Sequence, residues 1–253
     1  MQLQRVAIAP SQRHEQTITL TAEQQHYLYR VLRLGNGDRF IAIDGIGQWW
    51  LAELQAEPQQ AQILGAIAIQ TELPVAVNLW IAMPKGNSMD EIVRQATELG
   101  VAQIHPVISD RTLLQPSAQK LTRWRRIAQE ATEQSERQVI PALFEPLPWQ
   151  VALANSPDPL TQRYLCVARG NFPHLLTQFT QAIAPANPTL QAIDLAVGPE
   201  GGWTEAEVAA AIAAGYQPVS LGDRILRSAT APLVAVALVA SVLEAMSVPQ
   251  KNV

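Results

Sequence analysis

Leu195-Ala-Val-Gly-Pro-Glu-Gly-Gly-Trp-Thr-Glu-Ala-Glu207 decides how this chain folds, because an apolar run ends in it at a glycine-rich turn that opens a helix. Residues 193–197 are short, apolar and partly β-branched, the composition of a buried strand. Thr204 with Glu207 three residues on is a capping box, and Gly215 supplies the stop. A strand therefore passes into a helix through residues 198–203. Glycines at 198, 201 and 202 let a ligand approach the backbone, and in open α/β sheets ligands sit beyond the carboxyl ends of the strands. A plain tight turn would use the same glycines.

Glu200 limits what the ligand is. A carboxylate there would repel a pyrophosphate, and G-x-x-G-G is the spacing of neither a dinucleotide fingerprint nor a P-loop. Asp223 stands about twenty residues downstream, where a dinucleotide fold carries its ribose-binding acid, but the glycines are wrong for that fold. A cofactor with hydroxyls, an amino group or a positive centre, and no phosphate, fits better.

Outward from this loop, strands alternate with helices. Strands are expected at 75–83, 101–108, 164–168, 193–197 and 217–221. Ser88 with Glu91 reads as a second capping box ahead of Ile92, Val93, Ala96 and Leu99, and further helices are expected at 119–136, 172–183, 204–214 and from about 230. This alternation specifies a mostly parallel sheet covered on both faces. The last helix, through Met246, is apolar almost all the way round. Ala235, Val239 and Val242 lie close to one face, with Leu233, Val236 and Leu243 on others, so part of it is expected to meet the core and part a second chain in a homodimer. At about sixteen residues it is short for a bilayer. In the loop before it, Arg224 and Arg227 alternate with apolar residues.

Residues 1–72 are patterned differently. Strand-like runs at 6–9, 16–20, 39–43, 49–54 and 61–69, turns at 35–38 and 45–47 and one short helix near 23–32 suggest a small closed barrel, with Glu72-Leu-Pro74 as linker. Arg5, Arg13, Arg30, Arg33 and Arg39 are all its positive charges, and they suit an RNA-contacting surface and an ordinary solvated one equally. Tyr27, Tyr29, Trp49 and Trp50 could stack on bases, although core packing accounts for at least half of them. Arg111, Lys120, Arg123, Arg125 and Arg126 form an acid-free stretch, either a phosphate-contacting face or a solvated helix surface, with Trp124 and Ile127 turned to the core.

Composition excludes other classes. A chain of 253 residues that is 48% hydrophobic can bury a proper core. Cys166 is the single cysteine, which rules out an internal disulfide, and its apolar surroundings suit a buried small side chain. No signal-peptide pattern and no membrane span are present, so a cytoplasmic protein is expected. A net charge of -4 argues against a generic nucleic-acid coat. His14, His26, His105 and His174 fall in unrelated segments, and no metal is expected.

Four stretches in order, Ala96-Thr-Glu-Leu-Gly-Val101, Arg123-Trp with Glu130-Ala and Glu133-Gln-Ser-Glu-Arg137, Val197-Gly-Pro-Glu-Gly-Gly-Trp-Thr-Glu-Ala-Glu207 and Leu221-Gly-Asp-Arg-Ile-Leu-Arg227, resemble the small-subunit ribosomal RNA methyltransferase E family over nearly the whole chain. The resemblance implies a SPOUT-class α/β domain with a parallel sheet and a trefoil knot over 75–253, and a PUA-like small β-barrel that binds RNA over 1–72. It implies a homodimer that uses S-adenosylmethionine to methylate the N(3) nitrogen of a uracil in 16S ribosomal RNA, free or in the small ribosomal subunit. It places the cofactor among three knot loops: Val167, Ala168, Arg169 and Gly170; Val197, Gly198, Pro199, Glu200, Gly201 and Gly202; and Leu221, Gly222, Ile225, Leu226 and Thr230. S-adenosylmethionine carries no phosphate, in agreement with Glu200. Ala229 departs from the family, which usually has glutamate there.

The target nitrogen releases its proton only well above neutral pH, so the site must stabilise a developing anion while presenting the methyl group in line. Arg224 and Arg227 are the candidate catalytic cations, acting on the uracil oxygens or a neighbouring phosphate, unless one merely caps the sheet through a carboxylate. No general base stands out. The RNA-binding candidates are Arg5, Arg30, Arg33, Arg111, Lys120, Arg123 and Arg126. A phosphate-cofactor enzyme and a non-catalytic RNA-binding module are the rival classes.

Overall fold

A computed structural model describes residues 3–113, 116–154, 159–183 and 190–246. The chain divides into two compact units, Met1–Glu72 with Gln129–Ile140, and Leu73–Ala128 with Pro141–Val253.

The first unit is a curled sheet of β1 (Arg5–Ala7), β2 (Arg13–His14), β3 (Thr17–Thr19), β4 (Arg39–Ile43), β5 (Trp49–Leu54) and β6 (Gln60–Ile67), in the order β1-β4-β5-β6-β3-β2. Only β1 and β4 pair in parallel. A register shift at Leu51/Ala52 bends the β5–β6 ladder. The curl encloses Ile18, Leu28, Phe40, Ala52 and Leu54. Trp49 and Trp50 are both buried core residues, and Tyr27 and Tyr29 pack partly buried against the same cluster as Trp50. The helix expected near 23–32 is α1 (Ala22–Gln25), capped by Thr21 and Gln24, running into a π-helical turn over His26–Val31.

Residues 129–140, which begin within the helix Ala118–Gln134, cluster with this unit. The Glu133 carboxylate accepts from the Ala7 N–H at 2.8 Å, and Glu72 accepts from the N–H groups of Gln138 at 2.9 Å and Val139 at 3.1 Å. Buried donors need acceptors, and these two carboxylates supply them across sequence separations that periodicity does not register.

The second unit carries β7 (Ala76–Ala82), β8 (Gln103–Ile108), β9 (Ala142–Leu143), β10 (Leu147–Pro148), β11 (Thr161–Cys166), β12 (Ala192–Val197) and β13 (Gln217–Val219). The order is β10-β8-β7-β12-β11-β13, with β9 also on β8, and every pairing is parallel. Residues 193–197 of the central β12 are all buried, as a strand covered on both faces requires. The helices are α2 (Ser88–Glu98), α3 (Ala118–Gln134), α4 (Trp149–Leu153), α5 (Leu175–Ala182), α6 (Glu205–Ala213) and α7 (Thr230–Met246). α7 lies on β7 and β12 beside α2 and α5, while α4 and α6 pair over β8, β10 and β13. Beneath α4 and α6, Trp149, Trp203 and Tyr216 meet Ala82, Leu165 and Ala196.

The structure corrects two local expectations. Asn87, not Ser88, precedes the first turn of α2, it makes no capping bond, and Glu91 pairs with Arg94 at 2.8 Å instead of closing a box. Asp90 and Glu91 in the first turn still complement the helix dipole. On α7, Ala235, Val236, Val239, Ala240 and Leu243 share one broad buried stripe, because steps of 100° keep them within a single arc. Leu233, Val234, Ala237, Leu238 and Val242 form the half-exposed remainder. Among the described residues no helix is long and apolar enough to cross a membrane.

Candidate active site

β11 lies between β12 and β13, so the segments leaving the carboxyl ends of these strands stand side by side. They enclose a cavity of about 570 Å³. Val167 and Ala168 line it from the first segment, Val197, Gly198, Pro199, Glu200 and Gly202 from the second, and Leu221, Gly222, Arg224, Ile225, Leu226 and Arg227 from the third. Sequence separations of more than fifty residues thus collapse into one wall.

Arg169, Gly170, Gly201 and Thr230 do not line the cavity. Gly170 (φ 120°) shapes its turn, where an added Cβ would come within 2.5 Å of the Phe172 ring. Gly201 faces Arg111, and a Cβ there would meet the Arg111 Cδ at 2.9 Å. Thr230 begins α7. Ser88, Cys166, Trp203, Ser228, Ala229 and Ala231 complete the lining without having been assigned to the site from the sequence. Most of these adjoin the motifs in sequence, whereas Ser88 follows β7, the strand paired with β12, and has no spacing that ties it to them.

The 198–203 turn is bound tightly to its surroundings. The Glu207 side chain, 3% exposed as a residue, accepts from the Thr204 N–H and from the Asp110 N–H, each at 2.8 Å, and the Glu207 N–H donates to Thr204 Oγ1 at 3.2 Å. The expected capping box is therefore present and also ties the loop after β8 to the loop after β12. Arg111 Nη1 donates to the Gly201 carbonyl at 2.5 Å. Trp203 stacks on Trp149 at 4.8 Å below the turn, and a Cβ on Gly198 would lie 3.2 Å from its indole.

Glu200 joins three loops. Its Oε1 accepts from the Lys85 N–H at 2.9 Å and from the Ser228 hydroxyl at 3.0 Å, joining the segments after β7, β12 and β13. Burial works against its ionisation, but hydrogen bonds from its own N–H, Lys85 and Ser228, with the Lys85 charge, outweigh that and hold the carboxyl below its ordinary range.

Arg224 and Arg227 are exposed at the cavity, and among the described residues neither guanidinium makes a hydrogen bond or ion pair. No carboxylate is therefore there for either to cap. The Cys166 thiol is pushed up to about 12 by burial and stays protonated, so it is no nucleophile. His105, between Trp80 at 4.0 Å and Phe144 at 4.3 Å, is lowered to about 4 by burial and is neutral. Among the described residues no group of three His, Cys, Asp or Glu could hold a metal ion.

Of the RNA-binding candidates, Arg30 and Arg33 are exposed at and just beyond the π-helical turn. Arg5 is paired with Glu136 at 2.8 Å, lies over Trp49 and has a side chain only 11% exposed, so its charge is spent inside the first unit. Arg111 is engaged with Gly201. Lys120 and Arg123 border a second cavity, and Arg126 is exposed on α3.

A family model described as an RNA methyltransferase domain matches residues 71–240, and one described as an RNA methyltransferase PUA domain matches residues 20–64. The chain is 48% identical over 241 residues to ribosomal RNA small subunit methyltransferase E of Synechocystis, across 95% of this chain and 78% of that one. Its counterpart of the same name in Bacillus subtilis is 29% identical, across 88% and 89%. Among solved structures, the ribosomal RNA small subunit methyltransferase E of Neisseria gonorrhoeae bound to S-adenosyl methionine matches with a TM-score of 0.83 at 31% identity, covering 95% and 98% of the two chains. A putative methyltransferase of Legionella pneumophila in complex with the same cofactor matches with a TM-score of 0.80 at 26% identity, covering 97% and 98%. With the methyltransferase model spanning most of the chain and close kinship along nearly all of it, this chain belongs to the ribosomal RNA small subunit methyltransferase E family of RNA methyltransferases.

Proposed function

We propose that the protein methylates the N(3) nitrogen of a uridine in 16S ribosomal RNA, using S-adenosylmethionine, as a homodimer in the cytoplasm. The observation that carries this reading is a pair of unpaired guanidiniums, Arg224 and Arg227, at a largely apolar cavity whose glycine turn contains a carboxylate. Such a wall suits a ligand with an apolar ring, hydroxyls and a positive centre and disfavours a phosphorylated one. Val167, Gly198, Leu221, Ile225 and Leu226 would hold S-adenosylmethionine, which supplies an electrophilic methyl group when bound.

The residues of this chain then have two tasks. Glu200, Lys85 and Ser228 fix the loops so that the target nitrogen meets the methyl carbon in line. Arg224 and Arg227 stabilise the negative charge that grows on the uracil as N(3) loses its proton. The nitrogen's electron pair forms the new N–C bond, and the carbon–sulfur bond breaks with its electrons returning to sulfur. Among the described lining residues Cys166 stays protonated and Glu200 is ionised and engaged, so the proton leaves to solvent.

Two further features belong to this reading. The half-exposed face of α7 would meet a second copy, and the third loop runs directly into that helix. The trefoil knot is supported by the path of the chain, which goes from β12 to the edge at β13 and returns as α7 onto β7 and β12. Residues 1–72 would serve as a PUA-like RNA-binding domain and 75–253 as the SPOUT methyl-transfer domain, with Arg30, Arg33, Lys120, Arg123 and Arg126 contacting RNA.

Calorimetric titration with S-adenosylmethionine, followed by mass mapping of 16S ribosomal RNA from a deletion strain, tests the reading. The expected results are one-site binding and loss of a single methylated uridine. Preference for a nicotinamide nucleotide, or an unchanged methylation map, would refute it.

A further inference from the structure

The cavity of about 340 Å³ bordered by Gly86, Asn87, Asp90, Ser117, Lys120 and Arg123 is separate from the one just described, and only one turn of chain lies between them. Gly86 and Asn87 line this second cavity, the next residue Ser88 lines the first, and Lys85 is bound to Glu200 through its N–H. The second cavity is polar. Its one carboxylate is already committed: Asp90 accepts from Arg123 Nη2 at 2.7 Å through one oxygen and from the Trp124 indole N–H at 3.0 Å through the other. Lys120 has no carboxylate partner among the described residues, which leaves the cavity with an uncompensated positive charge. The Arg123 side chain is 68% exposed, so it stays open to solvent while bonded to Asp90. Gly86 (φ 73°) has no protein atom within 4 Å of where a side chain would begin, so its backbone is open to close approach. Trp124, 1% exposed, fixes the floor and the position of Asp90, and so the position of Arg123.

A compact site with a lysine, an outward guanidinium, a serine, an asparagine and a bare glycine is suited to a tetrahedral oxyanion. We propose that this cavity binds a backbone phosphate of the substrate RNA next to the nucleotide that enters the first cavity. The inference rests on the RNA-methylating reading above and adds to it a positioning subsite. A phosphate held there fixes the register of the strand across the turn at residues 85–88, so that the neighbouring base reaches the methyl-transfer site.

The test compares wild type, Lys120→Ala, Lys120→Arg and Arg94→Ala, which removes a surface charge on α2 instead of α3. Affinity for 16S ribosomal RNA is measured at several salt concentrations, alongside single-turnover methylation and titration with S-adenosylmethionine. Lys120→Ala is expected to weaken RNA affinity roughly tenfold and to flatten the salt slope by about 0.7, the share of one single-strand phosphate contact. Lys120→Arg restores both, Arg94→Ala leaves the slope unchanged, and cofactor affinity is the same in all four. A wild-type slope in Lys120→Ala, or an equal change in Arg94→Ala, overturns the subsite. A Lys120-dependent slope without methylation by the wild type keeps the subsite and refutes the function, while a wild type that does not bind the RNA refutes both.

Discussion

The two loops that face each other across the main cavity are built differently. The turn after β12 is held at both ends: Glu207 bonds two backbone donors, Arg111 takes the Gly201 carbonyl, and the Gly202 N–H closes on the Pro199 carbonyl at 2.8 Å. The segment after β13 is held at its two ends, by Ser220, which bonds Pro173, Leu175 and Gly222, at the start, and by Ser228 on Glu200 and the Thr230 and Ala231 N–H groups on the Arg227 carbonyl at the end. Among the described residues the Arg224 and Arg227 guanidiniums have no partner, and Ile225 is 63% exposed. One side of the cavity is completed by the protein itself. The other leaves charge and apolar surface in solvent, open to a ligand, a substrate or a second chain.

The sharpest test of that contrast is Arg227→Ala. If the guanidinium acts on charge present only in the transition state, single-turnover methylation should fall by about 10²–10³ while cofactor affinity changes little. An unchanged rate would make the arginine a surface residue and reduce the contrast to a difference in packing.

Next in size is Glu207→Ala on the tightly bound side. It leaves the N–H groups of Asp110 and Thr204 without their acceptor, and a buried donor left unpaired costs about 1–3 kcal/mol. A lowered melting temperature with weakened cofactor binding is expected, in contrast to Arg227→Ala, which should melt like the wild type. Equal stability of the two variants would show that the first loop does not depend on its buried carboxylate.

The contrast also marks what sequence could and could not supply. Thr204 and Glu207 were legible as a capping box because both bonds lie within one turn of helix, and residues 193–197 as a buried strand because the run is apolar throughout. The second role of Glu207, holding the Asp110 N–H 97 positions away, leaves no local pattern. The same is true of Glu200, whose partners Lys85 and Ser228 lie 115 and 28 positions away. The elements β9, β10 and α4 were missed because two to five residues are too few for a period to repeat. Arg5 and Arg111 were legible as charges, but only the fold shows that Arg5 is paired with Glu136 and that Arg111 holds the Gly201 carbonyl.

Glu200→Gln probes the link that Ser228 makes between the two loops. The amide keeps the shape and loses the charge, so the hydrogen bonds from Lys85 and Ser228 weaken and cofactor affinity should fall about tenfold. Because the folded carboxyl is held below its ordinary value, the wild-type link is fully present above the unfolded value and is lost as pH falls through the lower folded one. Wild-type binding should therefore persist down to about pH 4.5 and decline only below it, and the Gln variant should lack that acid limb. A decline centred well above pH 5 in the wild type would mean that another group controls the loops.

The smallest effect separates the glycines of the tightly bound turn. A Cβ on Gly201 meets the Arg111 Cδ at 2.9 Å, the middle of a long side chain that can swing aside at the cost of its bond to the Gly201 carbonyl. A net hydrogen bond is worth about 0.5–1.5 kcal/mol, so Gly201→Ala should lower stability by about 1 kcal/mol and leave cofactor affinity within about twofold. Gly198→Ala is the informative partner. Its Cβ would stand 3.2–3.3 Å from three atoms of the Trp203 indole, a ring 9% exposed and stacked on Trp149, which has little room to retreat. Gly198 lines the cavity and Gly201 does not, so only the first substitution should alter both stability and binding. Cofactor titration and thermal melts of the two variants decide the matter. Weaker binding in Gly201→Ala than in Gly198→Ala would place the ligand on the Arg111 side of the turn and reverse the assignment of the cavity wall.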